Sequence, residues 1–296
     1  MSTVIVLPPS LNERSFETVF GQLAPLGAAD KVLLDARHTR WASPYGLTAL
    51  LALAQTRADL PGLYVPEADE TASYWARAGF FRHADGLFEM HGSVPKSRAA
   101  AESDVLLEIT SVAGSEDVHD VVGRIQGKAH AILSKELRLD SKATMGFAMT
   151  LSEACQNIVE HAGLGGWVAV QAYRRGQRVG GRRVVVIAVC DAGIGFRQSL
   201  ESSASARSRD ARWDDAMALE DAVIRGVSRF RDPGRGQGLA GVRRYIGRWE
   251  GKLSVRSGTA RISIVPSWDD DVPLREKLPP FPGAQMQITI PERVSE

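Results

Sequence analysis

Leu151-Ser152-Glu153-Ala154-Cys155-Gln156-Asn157-Ile158-Val159-Glu160-His161 is the stretch on which the reading of the whole chain turns. Glu153, Asn157 and His161 recur every four residues, the spacing of one helical face. Leu151, Ala154, Ile158 and Ala162 make the opposite stripe, so a helix backed by apolar core presents a carboxylate, a carboxamide and an imidazole together. A carboxylate can orient or deprotonate a hydroxyl or a water. An Asn oxygen is a hard ligand suited to Mg2+, which keeps several waters and binds largely through substrate phosphates. A solvated polar face has the same spacing, so this helix does not settle the chemistry by itself.

Two further motifs lie downstream. Val184-Val185-Val186-Ile187-Ala188-Val189-Cys190 is a continuous apolar run, the pattern of a central strand, and it ends in Asp191-Ala192-Gly193-Ile194-Gly195-Phe196. The glycines allow positive φ and close approach of another group to the backbone. Asp191 at the strand end can accept a hydrogen bond from an exocyclic amine such as that of adenine, although an Asp that merely forms a turn fits as well. Asp232-Pro233-Gly234-Arg235-Gly236-Gln237-Gly238-Leu239 then opens a helix. Glycines before a helix N-terminus leave free backbone N–H groups at its positive end, an arrangement that favours anions. No Gly-Lys-Ser/Thr follows, so this is not a Walker A loop, and no strand precedes it, so it is not a dinucleotide fingerprint.

Around these motifs the chain divides in two. Residues 1–91 alternate strands (Val4–Leu7, Lys31–Asp35, Leu63–Val65) with helices (Leu11–Leu23, Pro44–Arg57, Ala68–Ala78), the pattern of a small α/β domain. Residues 92–104 are polar and small and read as a linker. Residues 105–296 read as strand Val105–Thr110, helices Glu116–Leu137 and Lys142–His161, and strands Trp167–Tyr173 and Arg183–Cys190. A helix around Arg212–Arg229, helix Leu239–Trp249 and strands Lys252–Arg256, Arg261–Val265 and Gln285–Ile290 complete it.

Bulk composition narrows the function classes. The 296 residues carry a net charge of +1, which gives no basic field to recruit nucleic acid or an anionic membrane. Both cysteines, Cys155 and Cys190, sit in apolar runs, which argues for a reducing compartment and against disulfides or zinc. The start of the chain has no basic segment of the signal-peptide kind, and no apolar run approaches the ~20 residues of a membrane span. The expected location is the cytoplasm.

Taken together, the motifs resemble those of the GHKL ATPase superfamily (gyrase, heat-shock chaperone, histidine kinase, mismatch repair). Glu153-x-x-x-Asn157 with His161 resembles its N box, and Asp191-x-Gly193-x-Gly195 its first glycine box. Gly234-Arg235-Gly236-Gln237-Gly238-Leu239 resembles the second, and Gly283–Pro291 the terminal strand. The likeness spans about Val105 to Pro291. It implies a two-layer α/β sandwich of the histidine-kinase-like (Bergerat) type with ATP and Mg2+ on the helical face. By the same resemblance Asn157 would hold Mg2+, Asp191 would read adenine and Glu153 would activate the acceptor. His161, Gly193, Gly195, Gly234, Arg235, Gly236, Gly238 and Leu239 would line the nucleotide, and Phe196–Pro233 would form a lid. Two features depart from the pattern: Ala284, where many members carry Thr, and the stretch Ser267–Gly283, to which the sequence assigns no role.

The branch is narrower still. A histidine kinase needs a phospho-acceptor histidine on a dimerising helix pair, whereas the residues before Val105 form an α/β unit. Ser152-Glu153-Ala154 with Asn157 and His161-Ala162 resembles the anti-sigma-factor serine kinases, which phosphorylate a serine or threonine on a partner. Lys31–Asp35 and Trp41–Leu50 resemble a STAS domain, the fold of anti-sigma-factor antagonists, but Tyr45 stands where the acceptor serine is expected. The expected function is therefore an ATP·Mg-binding regulatory protein acting as a serine/threonine kinase. The alternatives are an ATP-gated binding switch or a plain ATPase. The expected partners are a STAS-domain antagonist or a sigma factor, and self-association as a homodimer stays open.

Overall fold

The computed structural model describes residues 2–95, 106–112, 123–124, 137, 139, 142, 144–148, 163–174, 181–202, 213–227 and 237–293. In the N-terminal part, β1 (Thr3–Val6), β3 (Val32–Asp35), β5 (Gly62–Tyr64) and β6 (Glu89–His91) form a parallel sheet in that order. Parallel neighbours need crossover connections. Here these contain α1 (Phe16–Leu23), α2 (Pro44–Gln55), α3 (Asp69–Arg77) and the short α4 (Phe80–Ala84). The periodicity places the first helix from Leu11, but it begins at Phe16. Ser10–Leu11 instead forms β2, paired with β4 (Trp41–Ala42). The Asn12 side chain then accepts the backbone N–H groups of Arg14 and Ser15, which turns the chain before the helix can start.

The C-terminal part is a seven-stranded sheet in which every neighbouring pair is antiparallel. Its strands are β7 (Leu106–Val112), β8 (Gly166–Arg174), β9 (Arg183–Asp191), β10 (Lys252–Gly258), β11 (Ala260–Ile264), β12 (Leu274–Arg275) and β13 (Phe281–Pro291). They lie in the order β12-β11-β10-β13-β9-β8-β7. Successive side chains alternate between the two faces. On the front, Val185, Ile187, Val189, Leu253, Val255, Met286 and Ile288 pack against helices. The described helices there are α5 (Gly195–Glu201), α6 (Asp215–Leu219), which continues into a π-helical turn over Glu220–Arg225, and α7 (Gln237–Arg248). This mixed α/β architecture, with a helical layer on a sheet, is the one the sequence implies.

The back face carries a second cover. Trp167, Ala169, Ala188, Cys190 and Phe281 share one apolar core with Leu50, Leu53, Trp75 and Phe80 of the N-terminal part. Every residue of α2 from Pro44 to Ala54 is buried, because its own parallel sheet lies on one side and the seven-stranded sheet on the other. A helix apolar all round can be stable only in such a place. Phe20 packs on Phe281 with ring centroids 4.3 Å apart, and Ile109 N–H bonds the carbonyl of Ala78 at 2.8 Å.

Charged groups close the same junction. Lys252 Nζ lies 2.7 Å from Asp271 Oδ2, 3.3 Å from Asp269 Oδ1 and 3.9 Å from Glu13 Oε1. Arg261 Nη2 sits 2.8 Å from Asp271 Oδ1, and Gln287 donates to Glu13 Oε2 at 2.8 Å. Burial pushes the Asp271 carboxyl up, but the Lys252 hydrogen bond and the charges of Lys252 and Arg261 outweigh it and hold it at about 2. Arg256, also buried, bonds Glu17 at 2.9 Å with its guanidinium 4.2 Å above the Phe20 ring. The stretch Ser267–Gly283 thus has a role: Asp269, Asp271 and Phe281 make it a strap from the sheet edge to the N-terminal part, with Arg14 gripping Asp269 at 2.6 Å.

Removing one member of a buried ion cluster leaves its partners uncompensated, which costs about 3–5 kcal/mol. Lys252→Met is therefore expected to lower the unfolding free energy read from urea denaturation by that amount, with both sheets melting in one transition. A loss below about 1 kcal/mol would show that the cluster does not hold the junction.

Candidate nucleotide site

The site starts where β9 runs out of apolar residues. Alternation sends Cys190 to the back and Asp191 to the front, at the mouth of the helical layer. Asp191 is only 5% exposed. Its Oδ1 accepts the N–H of Gly193 at 2.8 Å, and its Oδ2 accepts the N–H of Ala284 at 3.2 Å. Burial nevertheless dominates and lifts the carboxyl to about 7, against the opposing pull of those two N–H bonds.

Two glycines make this fit possible. Gly283 has φ +77°, and a Cβ there would overlap the Asp191 carbonyl oxygen. Gly195 has φ +71°, and a Cβ would press on Ser257 Oγ at 2.7 Å. Only glycine adopts that backbone without strain and leaves that space. The strand ends are then tied together from below. Gln285 Nε2 donates to the carbonyls of Asp191 and Pro282, both at 2.9 Å. Ser257 Oγ donates to the Gly283 carbonyl at 2.7 Å and accepts the Phe196 N–H at 3.1 Å.

This arrangement suits a purine amine. A carboxylate oxygen bonded to one N–H keeps a further acceptor position. An amine donor placed there would replace the hydration that burial removed and favour the charged form. The two glycine turns keep the floor beside it free of side chains.

The other expected site residues divide as follows. Glu153, Asn157, His161, Gly234, Arg235 and Gly236, the residues expected at the phosphate and metal end, lie outside the described residues. Residues 144–148, which lead toward Glu153, are helical and bury Phe147 in the front core. Gly238 lies in the first turn of α7, while Leu239 points into the core with Val242 and Ile246. Among the described residues no group of His, Cys, Asp and Glu could hold a metal ion. None of the described helices is long and apolar enough to cross a membrane.

Two parts of the expected lid, Phe196–Pro233, are core elements. Leu200, Ala218 and Ala222 bury against one another, and Ala216, Leu219 and Val223 enter the main front core. Asp214 caps α6 by accepting the Met217 N–H at 2.9 Å. Asp215 ties α6 to the β10–β11 turn by accepting from both N–H and Oγ1 of Thr259 at 2.8 Å. The sequence placed a helix around Arg212–Arg229 but did not mark it as a core element. Residues 203–212 and 228–233 lie outside the described residues. Sequence reasoning also passed over Gln285 and Ser257. A polar residue among the apolar residues of a strand was the available signal for Gln285.

Sheet, helical layer and a buried acid beside glycine turns define the class: an α/β-sandwich nucleotide-binding domain. Residues 144–293, just over half of the chain, match the family of histidine kinase-, DNA gyrase B-, and HSP90-like ATPases, and the chain belongs to that family. A comparison with curated proteins found no match. Membership implies ATP binding, typically with Mg2+. The matched range contains every expected site residue from Glu153 to Leu239.

The Asp191 carboxyl gives a pH signature. Burial holds its carboxyl at about 7 in the fold, whereas an unfolded Asp releases its proton near 3.9. Its protonation therefore favours the fold below about pH 4, and that contribution is lost as pH rises through 7. An amine donor wants the charged form, so ATP affinity should rise with pH up to about 7, by at most about tenfold per unit. The comparison is calorimetry at pH 6 and 8 on wild type and Asp191→Asn, so that titration of ATP itself cancels. A wild-type dependence no steeper than that of the variant would remove Asp191 from the binding step.

Proposed function

We propose that this chain is an ATP·Mg-dependent serine/threonine protein kinase of the anti-sigma-factor type that acts on a partner protein. What supports the partner in trans is the state of the chain's own candidate acceptor. Tyr45 occupies the position where a STAS-like antagonist would carry its serine, and it is 1% exposed. Ser43 is equally buried, and its Oγ caps α2 by accepting the Gly46 N–H at 3.1 Å. Neither hydroxyl can reach a nucleotide on the front of the sheet. A substrate hydroxyl then has to come from another chain, and a STAS-fold antagonist or a sigma factor is the proposed partner.

Phosphoryl transfer asks little covalent chemistry of the protein, because positioning and charge carry it. In the proposed reaction the partner Ser or Thr oxygen bonds to the γ-phosphorus, its proton passes to Glu153, and ADP leaves. Asn157 would hold Mg2+, and Arg235 would stand near the transferred charge. Glycine-lined N–H groups before α7 would face the phosphates.

A second reading is an ATP-gated binding switch without transfer. The shared core on the sheet's back face favours it, because any nucleotide-driven shift of β9 is felt at once by α2. Incubation with labelled ATP and a STAS-fold protein bearing an intact serine separates the two. The kinase reading expects label on the partner, reduced at least about 100-fold by Glu153→Ala. ATP binding should survive in that variant and fail in Asn157→Ala. Retained binding with no label on any partner would leave the switch.

A further inference from the structure

The back face of the sheet holds two buried polar atoms that match each other. Tyr45 Oη and Gln285 Oε1 are both enclosed and have no hydrogen-bond partner among the described residues. One is a donor and the other an acceptor. Strand register places them in one neighbourhood. Gln285 stands opposite Cys190 of β9 on one side and opposite Arg256 of β10 on the other, so the three form a row across the back face. Helix α2 crosses that row, with Thr48 Oγ1 3.2 Å from Cys190 Sγ. Helix α2 packs on β13 as well as on β9, and Tyr45, one turn before Thr48, feels the charges of Cys190, Arg256, Glu17 and Glu13, which places it on the same part of the back face as Gln285. Burial raises the Tyr45 phenol well above its ordinary range, so it remains a donor.

We propose that Tyr45 is a positioning residue for the adenine acid, its hydroxyl bonding Gln285 Oε1 through one enclosed water, while Gln285 holds the backbone of Asp191. The physical reason is that a carboxamide can turn end for end. Gln285 supports the Asp191 and Pro282 carbonyls only when its nitrogen faces them. In the reversed orientation oxygen would face oxygen. A donor at the Oε1 end selects the supporting orientation, and with it the place of Asp191 and of the Gly283 turn. The N-terminal part then sets adenine affinity from behind the sheet, without touching the nucleotide. This rests on the reading that Asp191 recognises adenine.

The test is calorimetry on the full chain with ATP·Mg and with inorganic triphosphate, alongside thermal melting. The variants are Tyr45→Phe, Gln285→Leu, the double variant and Asp191→Asn. Tyr45→Phe keeps the ring and removes only the hydroxyl. It should weaken ATP by about three- to tenfold, the range of one hydrogen bond, and leave triphosphate binding and the melting temperature near the parent's. Gln285→Leu should weaken ATP at least as much, and the double variant no more than Gln285→Leu alone. Parental ATP affinity in Tyr45→Phe, a lowered melting temperature without a change in affinity, or additive losses in the double variant would each overturn the proposal. If Asp191→Asn alone loses ATP, only this inference falls. If it binds ATP like the parent, the adenine reading falls with it.

Discussion

Strand β9 is apolar on both of its faces, and every residue from Val184 to Asp191 is buried. A strand of that kind needs cover on both sides. The front is covered by the helical layer through Leu219, Val223 and Val242, and the back by α2 through Leu50 and Leu53. The nucleotide site hangs from the end of this doubly covered strand. Asp191 is placed by the alternation of β9 and by the chain's need to leave the core at that point. Loss of either cover would expose β9 and move the acid with it.

The back-face cover also explains why the junction combines apolar packing with buried charge. Leucine, alanine and aromatic contacts supply the stabilisation, since a buried ion pair gives little net gain over apolar packing. Glu13, Lys252, Arg261 and Asp271 instead fix the relative placement of the parts, because any slip would strand a buried charge. The strap Ser267–Gly283 belongs to that function. It delivers Asp269 and Asp271 to the cluster and Phe281 to the aromatic contact, where β13 begins, and reaches Gly283 beside Asp191 two residues later. One segment therefore serves the junction at its beginning and the candidate site at its end.

Much of this was legible locally. A continuous apolar run marked β9, Asp191 at its end marked the strand exit, and the glycines at 193 and 195 marked the turn. Pro44 marked the first residue of α2 through its fixed φ. Other features were not legible, because their cause lies far away in the chain. The delayed start of α1 depends on β2 pairing with β4, some thirty residues on. Gln285 and Ser257 became site residues only when β10, β13 and β9 came side by side. The core role of α5 and α6 was hidden by surface charge, although Asp214 and Asp215 use that charge to cap and tie a buried helix.

The sequence by itself determined the family, the order of its motifs and the two-sided burial of β9, because these follow from residue type and spacing within short windows. Only the tertiary structure decided that α2 backs the ATP-type sheet, that Tyr45 is sealed in rather than presented, and that the Ser267–Gly283 stretch is a strap. Those outcomes depend on which distant surfaces fit together. An all-apolar helix such as α2 states that it must be covered, but only the fold states by what.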